Sequence, residues 1–203
     1  GAMGSAAFVV TGSGAGSGIV RVFDYGQDNE RFRFQPYGTS AVGVRVAKGD
    51  VTGDGVPDFV TVPTGGFASM VHIYDGNNGN LVRSFIAYPG FMGGLWVAVG
   101  DLNGDGIQEV VTGTDVGVEP HVVAFDAATG TAIHSFLAYA PTYLGGVRVA
   151  VGDLDGNGLS EIITSAGAGA SPHIVYFDGL TAATLLSFYA FAPAYLGGTQ
   201  ITA

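Results

Sequence analysis

The sequence predicts an all-β fold built from a repeated four-stranded unit. Short runs of β-branched and aromatic residues are separated throughout by Gly, Asn, Asp and Pro, which is the pattern of strands joined by tight turns. A nine-residue acidic string also occurs three times, at 50–58, 101–109 and 153–161. Repetition at this period indicates an array of equivalent units rather than unrelated domains.

Four segments can be aligned, and they define one domain over residues 6–203. Their approximate ranges are 6–57, 58–108, 109–160 and 161–203. Two sets of equivalent residues keep the register, at spacings of 51, 51 and 52: Asp24, Asp75, Asp126 and Asp178, and Phe34, Phe85, Phe136 and Phe188. Residues 1–5, GAMGS, have the composition of an expression-tag scar, so the start of the chain carries no information about export.

Each segment contains four strand-like runs. The second reads DFVTV, MVHIYD, LVRSFIAY and GLWVAVGD, with turn residues such as NNGN between the runs. We therefore expect a four-stranded antiparallel meander in every repeat. Runs such as VVAF are apolar on both faces, so each sheet must be covered on both sides. Radial stacking of the sheets does this, and the sequence predicts a β-propeller of four four-stranded blades. A β-sandwich is the alternative that a recurring four-strand unit makes less favourable.

The two ends of the repeat array suggest how the ring closes. Residues 198–203 match 146–151, while every strand type occurs four times and the acidic loop three times. We expect the C-terminal strand to join the N-terminal blade and close a four-bladed monomer. The alternative is half of a larger propeller, or a half that a second copy completes as a dimer.

The acidic loops have the ligand pattern of a Ca²⁺ site. Oxygen-bearing side chains fall at positions 1, 3, 5 and 9, and a carbonyl is expected from position 7. The candidate ligands are Asp50, Thr52, Asp54, Val56 and Asp58 in loop 1, Asp101, Asn103, Asp105, Ile107 and Glu109 in loop 2, and Asp153, Asp155, Asn157, Leu159 and Glu161 in loop 3. All are oxygen donors, which favours Ca²⁺ over zinc, and we expect three sites.

Two other interpretations of these loops are less favourable. An EF-hand needs a Glu at position 12, where these loops have Thr61, Thr112 and Thr164. Ordinary Gly-rich turns explain one such loop, but three in register would each crowd carboxylates together without a cation. Thr52 offers only a hydroxyl at position 3, so loop 1 should bind most weakly.

At these residues the sequence resembles the FG-GAP or VCBS repeat family, which includes the repeats of integrin α-chain propellers. The similarity lies in an apolar strand ending in GD, the acidic loop and a second apolar strand, at 45–58, 96–109 and 148–161. The resemblance implies a propeller with Ca²⁺ between the first two strands of a blade, on a secreted or cell-surface protein. Thr52, the terminal Glu residues and Asn157 depart from the family pattern.

Composition limits the partners. A net charge of −10 with only seven Lys and Arg argues against nucleic acid, and there is no apolar run of membrane-spanning length and no cysteine. No Ser, His and Asp grouping has catalytic spacing, so we expect a non-enzyme. His121 and His173 share a repeat position and are expected to pack on separate blades.

Aromatic loops before the innermost strands are the remaining candidate ligand site. They contain Tyr88, Phe91, Tyr139, Tyr143, Phe191 and Tyr195, which could stack on a sugar or a partner protein, although wedging between blades is favoured. Together these features predict a calcium-stabilised extracellular module for adhesion, scaffolding or protein interaction at the cell surface or matrix. A lectin-like propeller is the alternative, and an accessory domain of a secreted enzyme is less favoured.

Overall fold

In the computed structural model, which describes residues 8–14, 16–24, 26, 28–38 and 42–203, the strands form antiparallel sheets, here called blades. Each of blades 2 to 4 takes its first strand from one aligned repeat and its other three strands from the next, so a blade is offset from a repeat by one strand. The predicted tag scar, 1–5, lies outside the described residues. Blade 1 contains β1 (Phe8–Gly12), β2 (Val20–Asp24) and β3 (Glu30–Phe34). Blade 2 contains β4 (Val44–Gly49), β5 (Asp58–Pro63), β6 (Met70–Tyr74) and β7 (Leu81–Ile86). Blade 3 contains β8 (Leu95–Gly100), β9 (Glu109–Thr114), β10 (His121–Phe125) and β11 (Ala132–Leu137), and blade 4 contains β12 (Val147–Gly152), β13 (Glu161–Ala166), β14 (His173–Phe177) and β15 (Thr184–Tyr189).

The strands of a blade pair in chain order, as a meander predicts. The innermost strands β4, β8 and β12 lie side by side in successive blades, which is the arrangement of a β-propeller. The predicted all-β propeller is thus confirmed. In the part of the chain that the structure describes, no helix is long and apolar enough to cross a bilayer.

The second strand of blades 2 to 4 lies at the centre of the packing. β5, β9 and β13 are buried at every position, whereas the outer strands β7 and β11 alternate between exposed and half-buried residues. A strand buried on both faces must be covered on each side, by a neighbouring blade or, for β13, by residues 199–203 as well. This explains why adjacent apolar pairs such as Val110 and Val111 occur in these strands without alternation.

Neighbouring blades are joined by one aromatic contact that recurs three times. The phenylalanine of an outer strand packs on the aromatic residue that ends the third strand of the next blade: Phe34 on Tyr74, Phe85 on Phe125 and Phe136 on Phe177, with ring centroids 4.3, 4.9 and 4.6 Å apart. The strand register shifts immediately before Tyr74, Phe125 and Phe177. Such a bulge re-aims the side chain, here at the same place in each blade.

A tyrosine of each of blades 1 to 3 also reaches into the next blade. The Tyr88 hydroxyl lies 3.0 Å from Thr112 Oγ1 and within 3.1 Å of the His121 carbonyl oxygen. Tyr139 makes the equivalent contacts to Thr164 and the His173 carbonyl at 3.0 and 2.9 Å. Tyr37 repeats them with Thr61 and the Met70 carbonyl. These hydroxyls are hydrogen-bonded in the interior, and Thr112 and Thr164 also donate to the Val123 and Val175 carbonyls of their own blades.

The predicted pairing of the C-terminal segment with blade 1 is not formed. Blade 1 has three strands, and residues 199–203 belong to no strand. The segment is held on blade 4 instead, because the Arg148 guanidinium donates to the Thr199 carbonyl at 3.0 Å and Ile201 packs against Ala150, Ile163 and Ile174. Ring closure within one chain is therefore not seen among the described residues.

We expect Tyr88→Phe to lower the free energy of unfolding by about 1 to 2 kcal/mol, because it leaves Thr112 and the His121 carbonyl without their shared buried partner. Urea denaturation followed by fluorescence measures the change. Tyr195→Phe is the matched control, since Tyr195 is exposed and should show no loss. Equal midpoints for the two variants would contradict the role given to the Tyr88 hydroxyl.

Candidate metal centres

The three acidic loops connect the innermost strand of a blade to its second strand. Loop 1 follows β4, loop 2 follows β8 and loop 3 follows β12, so all three lie at the same edge of successive blades. In each loop the fourth and sixth residues are glycines with positive φ: Gly53 and Gly55, Gly104 and Gly106, Gly156 and Gly158. Only glycine adopts this conformation without strain, which is why both positions are Gly in every copy.

Each loop wraps around the aspartate at its first position. In loop 2 the Gly104 amide donates to Asp101 Oδ1 at 2.6 Å and the Gly106 amide donates to Oδ2 at 2.9 Å. Asp50 and Asp153 receive the equivalent pairs of amide hydrogen bonds in loops 1 and 3. The backbone therefore curls around one carboxylate, with the other loop acids arranged about it.

The acid at the ninth position lies beneath the loop and is buried. Glu109 Oε2 accepts the Leu102 amide at 2.8 Å, and Glu161 Oε2 accepts the Leu154 amide at the same distance. Asp58 accepts three amides, from Val51, Thr52 and Gly76. Burial, together with the nearby carboxylates of Asp105 and Asp101, raises the pKa of Glu109 to about 7. Burial also raises the pKa of Asp58.

Loop 3 has the arrangement most suited to a cation. One oxygen each from Asp153, Asp155 and Glu161 lies within 4.8 Å of the other two, and among the described residues this is the group of three acids that converges in this way. Carboxylate oxygens at this separation can bind one Ca²⁺ ion together. The donor set of loop 3 therefore fits the predicted ion.

Loops 1 and 2 share the wrapped backbone but differ in side-chain contacts. In loop 2 Asn103 donates to Glu109 Oε1 at 3.0 Å, so this amide turns toward the ninth-position acid. In loop 1 Asp54 Oδ2 accepts the Asn77 side chain at 2.9 Å, from the turn between β6 and β7. Both contacts use carboxylate oxygens that the sequence assigns to the ion. A cation must compete with these contacts in loops 1 and 2, and in loop 3 with the Asn157 side-chain amide, which donates to Asp155 Oδ2 at 3.0 Å.

Successive loops are also connected to each other. The Gln108 backbone N–H of loop 2 donates to the Asp50 backbone carbonyl of loop 1 at 2.9 Å, and the Ser160 backbone N–H of loop 3 donates to the Asp101 carbonyl at 2.7 Å. The Ile107 side chain lies against Gly53, and Leu159 lies against Gly104. Val56, Ile107 and Leu159, the expected carbonyl donors, are half-buried. The loops form one continuous row along the propeller edge.

The aromatic loops divide into buried and exposed members. Tyr88 is buried and Tyr139 is half-buried, and Phe91 and Tyr143 pack edge-on against them at 6.2 and 6.0 Å. His121 and His173 lie on separate blades against the same tyrosines, and burial lowers the pKa of both imidazoles. Phe191 and Tyr195 of blade 4 remain exposed.

Sequence motifs did not mark two features of the structure, a cluster of two arginines on a tryptophan and a cleft beside Tyr88. Arg45, Trp96 and Arg148 share a repeat position, and both guanidinium groups lie over the indole, at 3.6 and 5.0 Å from its centroid. Arg45 also pairs with Asp115 at 2.7 Å. A cleft of about 440 Å³ near Tyr88 is lined by Val118 and Glu119, which no motif marks. Only the shared repeat position could have identified the first group.

One family model matches the chain over residues 50–112, and it describes an FG-GAP-like repeat. This stretch is similar to an FG-GAP-like repeat. The match begins at the first residue of loop 1, contains loop 2 and ends in β9, so it covers two of the three loops. The predicted resemblance to FG-GAP repeats is confirmed there.

Solved structures similar to the chain are β-propellers. A chain in the crystal structure of the mitotic checkpoint complex matches with a TM-score of 0.62 and 15% identity, covering 90% of this chain and 49% of that one. The Dos1 propeller matches at 0.59 and 16%, covering 91% and 46%. Saccharomyces cerevisiae Sqt1 matches at 0.62 and 11%, covering 90% and 44%. The chain thus shares their fold and spans about half their length.

We expect Asp153→Asn to reduce Ca²⁺ uptake by about one ion per chain, because the variant removes a charge from the three converging oxygens of loop 3. Isothermal titration calorimetry measures the stoichiometry. Asp28→Asn is the matched control, since it makes the same charge change at an exposed residue outside the loops. Unchanged uptake in Asp153→Asn would remove loop 3 from the candidate sites.

Proposed function

We propose that this chain is a calcium-stabilised propeller module that mediates protein interaction outside the cell, in adhesion or scaffolding. The observation that carries the proposal is the convergence of Asp153, Asp155 and Glu161 in loop 3, on a backbone that loops 1 and 2 repeat. Extracellular Ca²⁺ modules have affinities of about 0.1 to 1 mM, the range we expect for a site with two exposed carboxylates and one buried one.

The ions would act on stability rather than on chemistry. When bound they would supply positive charge among the loop carboxylates, where nine of the chain's 17 acidic residues lie. At free Ca²⁺ about ten times the dissociation constant, each site contributes about 1.4 kcal/mol, and three contribute about 4 kcal/mol. Because the loops are hydrogen-bonded in a row, ordering one loop supports its neighbour. A non-catalytic role follows from this interpretation.

The lectin-like alternative has less support. Tyr88 is buried and Tyr139 is half-buried, and the hydroxyls of both are already hydrogen-bonded between blades. Stacking on a sugar needs an exposed aromatic face, which Phe191 and Tyr195 retain on blade 4. We therefore favour protein interaction over glycan binding. Glycan-array binding that Tyr195→Ala abolishes would reverse this preference.

Removal of calcium should lower the melting temperature by roughly 10 °C, because about 4 kcal/mol of ion binding is lost from a chain of this length. Differential scanning calorimetry with EDTA, and then with excess Ca²⁺ or Mg²⁺, measures the change. Ca²⁺ should restore the transition, and Mg²⁺ should restore little of it. A melting temperature that is insensitive to EDTA and to added Ca²⁺ would sink the calcium proposal.

A further inference from the structure

The three interfaces between neighbouring blades use one set of contacts. A buried residue at the second position of the second strand faces the preceding blade: Phe59, Val110 and Ile162, each 0% exposed. The threonine two positions later receives the preceding blade's tyrosine. Opposite them lies the outer-strand phenylalanine of that preceding blade. Each blade therefore has two different faces: the second-strand residues face the preceding blade, and the outer-strand phenylalanine faces the following blade.

Blade 4 exposes the face that would contact a following blade. Phe188, the equivalent of Phe85 and Phe136, is 38% exposed and contacts Tyr176 of its own blade instead of a following one. Phe191, at the position of Tyr88 and Tyr139, is 60% exposed and lacks the hydroxyl that the other two use. β15 is exposed at every residue, unlike β7 and β11. This face is apolar and uncovered.

Blade 1 exposes the opposite side of the interface, the face that would contact a preceding blade. Val9 aligns with Phe59, Val110 and Ile162, yet it is 51% exposed where those three are fully buried. Thr11, the equivalent of Thr61 and Thr112, is exposed as well. Since the blade 4 face and the blade 1 face are open at the same time, they do not cover each other within one chain.

The innermost strand shows the same complementarity. Arg45 of β4 donates to the Leu95 carbonyl of the next blade, and Arg148 of β12 donates to the Thr199 carbonyl in the same way. Residues 199–203 thus occupy the innermost position of a blade after blade 4. β1, in turn, pairs with β2 but lacks the innermost partner that β5, β9 and β13 have.

We propose that a second copy of this chain completes the ring, head to tail, with blade 4 of each copy packed on blade 1 of the other. Residues 199–203 become the fourth strand of the other copy's blade 1. The internal pairs Val46 with Thr61, Val97 with Thr112 and Val149 with Thr164 define the register, which places Ile201 opposite Thr11 of the other copy. Two such contacts related by a two-fold axis give a closed ring of eight blades.

The length of the array fits this occupant. The chain matches 46% of the chain titled the Dos1 propeller, so a propeller chain of that size has room for about two copies of it. The second copy also supplies both missing halves at once, with the same contacts that the three internal interfaces already use. An unrelated partner would have to reproduce that repeat chemistry on two faces.

Engineered cysteines test the predicted register, because the chain contains no native cysteine. Equal amounts of Thr11→Cys and Ile201→Cys are mixed and oxidised, then separated on a non-reducing gel. We expect a band of twice the chain mass from the mixture, since directly opposed strand residues lie close enough for a disulfide. Val116→Cys mixed with Ile201→Cys is the control, because Val116 is exposed on blade 3 and should give no such band.

Sedimentation of the unmodified chain and of surface variants is the independent measurement. We expect twice the chain mass for the unmodified protein and for Val116→Asp, and the chain mass for Val9→Asp and Phe191→Asp. An unmodified protein of single-chain mass overturns the proposal. So does a double Thr11→Cys, Ile201→Cys variant that crosslinks within one chain, and so does an open ladder of larger species.

Discussion

Burial of the second strand between two neighbouring sheets is the constraint on which the rest of this structure depends. β5, β9 and β13 have no exposed face: β5 and β9 lie between neighbouring blades, and β13 lies between blade 3 and residues 199–203. The repeated phenylalanine contact and the tyrosine that crosses to the next blade follow from this requirement. A single blade of this sequence would leave its apolar surface in water.

The acidic loops inherit their geometry from that stacking. Because the innermost strands lie side by side, the loops that follow them form a row, and amides at Gln108 and Ser160 connect each loop to the one before. The glycines at positions 4 and 6 let the backbone curl around one aspartate, and Gly53 and Gly104 also leave room for a side chain from the next loop. The candidate metal loops and the stacked blades are therefore connected by hydrogen bonds and packing at this edge.

The loops differ in the side chain that contacts their acids. In loop 1 Asp54 accepts Asn77 from another turn, whereas in loops 2 and 3 the contact lies within the loop, from Asn103 to the buried Glu109 and from Asn157 to Asp155. Loop 3 is also where three acids converge. The sequence predicts Thr52 as the weak point of loop 1, whereas the contacts of the loop carboxylates depend on how the turns fold.

By itself the sequence determined the strand content, the repeat register, the position of the loops and the equivalence of residues across blades. These properties are local or periodic, since strand alternation, turn glycines and the loop string each lie within a few residues. Only the tertiary structure decided which aromatics are buried, as with Tyr88 against Phe191, and how residues 199–203 are held. Both depend on whether another blade lies beside the residue. Equivalent sequence positions have different surroundings at the two faces where the array meets no further blade.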